Sequence, residues 1–447
     1  MGKTMAQTLQ AWPIVGQQTS TGWGSQMMRT FNQLQHLDIR AKCAIMKLAG
    51  KSIHLKDSVR EWLLRKSSIL AFTMSCIVNQ GNLPMLEDSR SLCSEPALTF
   101  MSTSIAMLEN VLHKDLARCN LQPARIEKEY MAASSLLPPD SALPGLVATV
   151  AANAARAAYQ AALACEDLDF MANATLLLAR SGRLIIALVA LDSWKRGLLQ
   201  QPKGLPNSHQ DEILVPGDHV VDALVPLAMG FISQPIDSVS LGIYAPGSLT
   251  KSGRDALFTA LAGLFQAGFG WGHAPQLVAP LLGRLQELYA FLALHHPTPA
   301  SVSGHNADQP SAATGPAALT CVEELAESEL AATLLLLGGS FHCPDARMAA
   351  TSSEWRSNER PPGMAAVAWQ LWPRAVRADL RKRTAIAQKS HAEQEQGLLL
   401  VDQPSLLETL LCTLCNFVQD TSAAKLDLLW SGNGAPLHAP AAAAAEG

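Results

Sequence analysis

Aromatic side chains are scarce in this chain, 5% of 447 residues with only four Tyr, although hydrophobic residues make up 48%. Leu and Ala stand well ahead of Val, Ile, Tyr and Phe, and such a composition fits helices better than pleated strands. An all-α protein is the expectation. A large charge of one sign is also missing: the net charge is -4, so any nucleic-acid surface has to be local. The nine cysteines run from Cys43 to Cys415 without a regular frame, which argues against a disulfide scaffold and for a reducing compartment. Most of these thiols read as small buried hydrophobes. Weakly charged stretches such as Ser141 to Ala155 and Ala223 to Ile236 are broken by Pro or Gly. They fall short of the roughly 20 apolar residues of a membrane helix, and no transmembrane segment is expected. No nucleophile elbow, H-E-x-x-H or D-x-D-x-D pattern occurs. The chain is therefore expected to be no enzyme and to carry neither cofactor nor metal.

What the chain does have is helical periodicity between breaks rich in Pro, Gly and Ser. Residues 1–24 read as a flexible arm and 25–137 as an amino-terminal helical subdomain, with a Ser58-x-x-Glu61 capping box ahead of an apolar run to Ile77. Pro138, Pro139, Pro144 and Gly145 mark a boundary, and 138–294 reads as a central array that opens with an Ala-rich helix over Leu146 to Cys165. A polar insertion, 295–316, precedes a carboxy-terminal helical subdomain, 317–432, with helices expected over Ala317 to Leu337, Ala365 to Lys389 and Ser405 to Leu429. Pro373 is expected to break or restart the second of these. The last segment, 433–447, is a low-complexity tail.

Asp167 to Gln200 reads as a helical hairpin. Apolar residues recur at Phe170, Ala174, Leu177 and Leu178, Ser181 and Gly182 interrupt, and the spacing restarts at Leu184, Leu188 and Leu191. Neither short helix buries its stripe alone, so further hairpins are implied. Asp222-Ala223-Leu224 with Gly230-Phe231 is echoed by Asp255-Ala256-Leu257 with Gly263-Leu264, and Asp169 stands to Gly182 as Asp255 stands to Gly268. Each reads as an acidic helix start, an apolar face and a terminating Gly. In these segments, Asp169 to Leu199 and Asp255 to Phe291, the chain resembles the degenerate helical-hairpin repeat proteins of organelles, the octotricopeptide and FAST-kinase-like class. The resemblance implies an α-solenoid, or an irregular array of helical hairpins with long loops, acting on RNA in a mitochondrion or plastid, as in an organellar ribosome. A generic scaffold of the HEAT or armadillo type fits the same texture.

Candidate ligand motifs are few. Gly2-Lys3-Thr4 lacks the first Gly and the strand of a phosphate loop, and Gly247 to Ser252 has Thr250 where Gly is required. Ser252 or Asp255 reads instead as a helix cap. Cys412-x-x-Cys415 puts two sulfurs near one face of a helix, with His342-Cys343 as the only other compact ligand pair, so buried core cysteines are the reading. His295-His296 reads as a helix end.

Two basic segments carry the functional expectation. Nine Lys or Arg face three acids between Arg29 and Lys66, among them Arg40, Lys42, Lys47, Lys51, Lys56, Arg60, Arg65 and Lys66. In WPRAVRADLRKRTAIAQK, Arg374, Arg377 and Arg381 share a narrow helical arc, with Val376 and Leu380 turned to the core. Lys382 and Arg383 lie beside this ridge, and Trp369 or Trp372 offers a stacking platform where exposed. An ordinary solvated face over core tryptophans is the other reading. The expectation is a non-enzymatic protein that binds RNA or sits in an organellar ribonucleoprotein such as the mitochondrial ribosome. The alternative is a protein-binding scaffold without RNA contact. The first 37 residues lack Asp and Glu and carry only Lys3 and Arg29 as basic residues. That composition overlaps a transit peptide as well as a plain disordered arm, and a mitochondrial location is expected, with plastid or cytoplasm as alternatives.

Overall fold

A computed structural model of the chain describes residues 43–44, 47, 98–109, 112, 143–164, 168–190, 192–199, 215–236, 247–295, 316–351, 363–388, 405–419 and single positions at 421, 422, 424, 425 and 428. The amino-terminal arm, the Ser58 helix, the segment Pro123 to Ala133, most of the 295–316 insertion and the 433–447 tail lie outside the described residues. Among the described residues the protein is all-helical, with no strand. The chain divides into two compact units, Met1–Ala223 and Leu224–Gly447.

In the first unit, a helical stretch at 98–109 precedes α1 (Leu143–Ala164), α2 (Leu168–Val189) and α3 (Asp192–Leu199), and α4 (Pro216–Ile232) begins before the unit ends. The small side chains of α1 do what the Ala-rich composition suggests. Ala148, Ala151, Ala155 and Ala158 are buried, and α1 packs along α2. The hairpin of the first unit is α1 with α2, and the expected break at Ser181 and Gly182 is a correction: α2 runs unbroken through both. The buried positions Phe170, Ala174, Leu177, Leu178, Ser181, Leu184, Ile185 and Leu188 form one continuous stripe. Ser181 occupies a place on that stripe with a polar side chain, so it interrupts the hydrophobicity and not the helix. The chain turns only after Val189, where α3 begins at Asp192. Gly145 and Gly197 allow α1 and α3 to meet closely, since a Cβ on Gly197 would stand 2.8 Å from Pro144 Cγ. Arg180 Nη1 donates to Ser102 Oγ at 2.8 Å, and Arg183 pairs with Glu109 at 2.5 Å, tying α2 to the 98–109 stretch. Burial holds the Arg180 pKa below its ordinary value, opposed by Glu109 and reinforced by Arg183.

The second unit holds α5 (Gly247–Gln266), a single 3-10 turn (Trp271–His273), α6 (Ala274–His295), α7 (Pro316–Ser340), α8 (Pro344–Ala349), α9 (Met364–Gln388) and α10 (Leu406–Val418). Helix α7 is its centre. It packs against α5, α6 and α10, and it buries Ala326, Leu330, Leu334, Leu336 and Leu337 on one broad face. The glycine pair at its end lets two neighbours approach. A Cβ on Gly339 would lie 2.5 Å from Ala262 Cα of α5, and one on Gly338 would lie 2.9 Å from Thr413 Oγ1 of α10. Asn416 Nδ2 donates to Gly338 O at 3.0 Å, and the rings of Phe341 and Phe417 sit 5.3 Å apart. At the start of α10, Ser405 and Glu408 form a reciprocal capping box.

Several expected boundaries move. Helix α5 begins at Gly247, so Ser252 and Asp255 are inside it and cap nothing. Asp222, Gly230 and Gly263 are likewise helix-interior, and Gly182 ends no helix. Gly268 does follow a helix end: at φ 93 it takes the left-handed position after α5, with Gly268 N–H donating to Phe265 O and Phe269 N–H to Leu264 O. Helix α9 continues through Pro373, which is exposed, so the carbonyl left without its donor can meet water. Two helical segments, Asp169–Val189 and Trp271–Leu294, are long and apolar enough to cross a membrane by length and composition, a property the interrupted sequence runs hid.

A buried charge cluster joins the helices of this unit. Glu329 of α7 accepts from Arg254 Nη1 of α5 at 2.5 Å and from Arg284 Nε of α6 at 2.8 Å, and all three residues are buried. Arg284 Nη1 also donates to Gln234 O at 2.5 Å, and Arg254 Nη2 to Asp255 Oδ1 at 3.0 Å. Burial raises the Asp255 pKa against the opposing pull of Arg254 and Lys251.

Candidate nucleic-acid interface

Helix α9 presents the arginine ridge. Its buried side runs through Met364, Ala368, Leu371 and Ala375, spaced by three or four residues. Four residues further on, the stripe is taken over by Asp379, which is buried and accepts from Arg383 Nε at 2.6 Å. Leu380 falls off the stripe. It was expected at the core and is 58% exposed instead, while Val376 is half-buried.

Arg374, Arg377 and Arg381 do come together: with Leu380 they line an open groove of about 310 Å³. The three guanidiniums are not equivalent. Arg374 sits at the edge of the buried side and is only 5% exposed, so it is no solvated member of a ridge. Its Nε lies 3.3 Å from Glu327 Oε1 of α7, and Arg381 Nη2 lies 2.5 Å from the same oxygen. One carboxylate thus holds two guanidiniums two helical turns apart. Arg377 is exposed, with its Nε donating to Pro373 O at 3.2 Å, and half of the Arg381 side chain is exposed. Arg383 is exposed and Lys382 half-buried. Counting Arg374, Arg377, Arg381, Lys382 and Arg383 against Asp379 and Glu327 leaves a local charge of +3 on a chain whose net charge is -4.

The two tryptophans of α9 are at the surface rather than in the core. Trp369 is 43% exposed, with its indole N–H directed to Leu428 O at 3.4 Å, and Trp372 is 37% exposed. Of the amino-terminal basic segment, Lys47 is described and is exposed on a helical turn. Arg40, Lys42, Lys51, Lys56, Arg60, Arg65 and Lys66 lie outside the described residues.

Sequence reasoning missed Glu327, the partner that sets the state of the groove. Two acids of α7 face different ways: Glu327 meets the arginines of α9 and Glu329 those of α5 and α6. The available signal was spacing, because residues two apart on a helix point in different directions. The expected burial of Cys412 and Cys415 is also corrected, since both thiols are free and exposed on α10. Cys343 is buried, its Sγ 3.6 Å from Trp271 O. Neighbouring His342 has its pKa lowered by burial and, secondarily, by Arg347. Among the described residues no group of three or more His, Cys, Asp or Glu is placed to hold a metal ion. No protein-family model matches the chain, and neither a curated protein nor a solved structure matches it.

Proposed function

We propose that this protein is a non-enzymatic helical RNA-binding protein that holds the phosphate backbone in the groove of α9, as a component of a ribonucleoprotein. The observation that supports this reading most is that Arg374, Arg377 and Arg381 border one open groove, lining it with their apolar stems, and give its surroundings a local excess of positive charge. Guanidiniums match phosphate oxygens in geometry as well as charge. Arg377 and the exposed half of Arg381 are the contacting groups, and Arg374 with Glu327 positions them. The exposed faces of Trp369 and Trp372 supply apolar surface on which unstacked bases can rest. We place the protein in a mitochondrion, a reading that rests on the acid-free amino terminus and the organellar resemblance, and that fractionation of tagged full-length protein would test. The repeat arrangement that suits this role is irregular: α1 and α2 form one hairpin, whereas the second unit gathers its helices about α7.

The test uses single-stranded RNA of mixed sequence and the full chain. Arg377→Gln with Arg381→Gln, which leaves buried Arg374 in place, should weaken binding by about tenfold for every sequence tried. Unchanged binding in the double variant removes the groove from the interface. A specific observation favours the second reading, a protein-binding scaffold: Glu327 already neutralises part of the groove, and Trp369, Trp372 and Leu380 are exposed on one helix. Trp and Arg dominate protein interfaces. Absence of RNA retention even at low salt selects that reading.

A further inference from the structure

The geometry points to Cys412 and Cys415 as a redox-modifiable dithiol whose closure to a disulfide loosens the packing of α10 on α7. Three observations carry this. Both thiols are free and exposed, on the side of α10 that also shows Leu411 to solvent. The opposite side of the same turns makes the contacts to α7 and the residue that follows it: Thr413 Oγ1 donates to Leu334 O at 2.9 Å, Asn416 Nδ2 donates to Gly338 O at 3.0 Å, and the Phe417 ring lies 5.3 Å from that of Phe341. Thr413 therefore stands between the two cysteines in sequence and faces the core while they face outward.

Side chains three residues apart on a helix have Cβ atoms about 5–6 Å apart, and a disulfide needs about 3.5–4.5 Å. The pair is close enough to bridge and too far apart to do so in an undisturbed helix. Closing the bond pulls the turn that contains Thr413, and the contacts on its far side give way. The oxidant is a small disulfide such as glutathione disulfide. One cysteine thiolate attacks a sulfur of glutathione disulfide, breaking its S–S bond and releasing one glutathione. The second thiolate then attacks the mixed disulfide at the protein sulfur and expels the second glutathione. The protein gives up two electrons and two protons, and one glutathione disulfide becomes two glutathiones.

The experiment equilibrates the full chain in buffers of graded glutathione to glutathione disulfide ratio, quenches with acid, alkylates, and weighs the peptide that spans 412–415. Thermal midpoints are recorded on the same samples. At the oxidising end the wild-type peptide should be unalkylated and lighter by two hydrogens. The midpoint should fall by about 2–4 °C, the shift expected from losing one side-chain hydrogen bond in a unit of this length. Cys412→Ser and Cys415→Ser, both surface changes, should keep the helical content and each remove that shift. A peptide that stays reduced, or that carries only glutathione adducts, overturns the dithiol. A closed disulfide with an unchanged midpoint overturns its coupling to α7.

Discussion

Glu329 shows how much one side chain can hold. Its two oxygens face two buried guanidiniums on two other helices, Arg254 and Arg284, and all three residues are no more than 5% exposed. Glu329→Ala leaves two buried positive charges without their shared anion, and the expected loss is about 3–5 kcal/mol in urea unfolding. A loss under about 1 kcal/mol would mean that the cluster relaxes into water. Nothing local in the sequence announced this triad: Arg254 is 75 residues from Glu329 and Arg284 is 45 away, so only the fold brings them together. His342 makes a second residue-scale prediction. Its Nε2 lies 3.4 Å from Asn416 Nδ2, a donor, so the neutral ring is the form that accepts there. Burial first and Arg347 second hold its pKa below the ordinary 6.5. A depressed folded value means that its stabilisation is complete above the ordinary value and is lost as pH falls through the folded one. Wild type should therefore lose more stability than His342→Asn on going from about pH 7.5 to about pH 5. Parallel loss in the two proteins would show that this ring does not titrate between states.

Helices were the most legible feature, and their reasons are local. Continuous Leu and Ala spacing located α7 and α9 to within a few residues of Pro316–Ser340 and Met364–Gln388, and the start expected at Ser405 matches α10, which ends at Val418 and not at the expected Leu429. Interruptions were less legible. Ser181-Gly182 and Pro373 look like stops in one dimension, but tertiary packing carries α2 through the first and α9 passes the second on its exposed side. The candidate site was half-legible for the same reason. Helical geometry placed three arginines on one arc correctly, whereas the depth of Arg374, the exposure of Leu380 and the intervention of Glu327 depend on where α7 lies. Between these elements Glu327 is an internal competitor for phosphate, on the proposed reading. Glu327→Gln removes the carboxylate charge facing Arg381 and raises the local charge by one, and RNA affinity should rise by about three- to tenfold at moderate salt. A weaker complex would show that the carboxylate orients the guanidiniums productively and does not compete.

For the molecule as a whole, on the proposed reading, a net charge of -4 repels RNA at long range, and among the described residues the basic surface on α9 attracts it at short range. Salt dependence should reflect that few charges take part. Two or three phosphates met by the groove give a log–log slope of about -1.5 to -2 for single strands. A slope several times steeper would point to a larger basic surface, such as the segment around Lys47. The placement of α7 has a last consequence, which concerns the order in which the chain is made. Helices α5 and α6 leave the ribosome first, and each turns apolar side chains toward a helix that is not synthesised until residue 340. Until then those surfaces stand open to solvent and to other chains. The second unit is thus one that a nascent chain completes late, and α5 and α6 stand without their shared partner, in greatest need of a chaperone, between the emergence of His295 and that of Ser340.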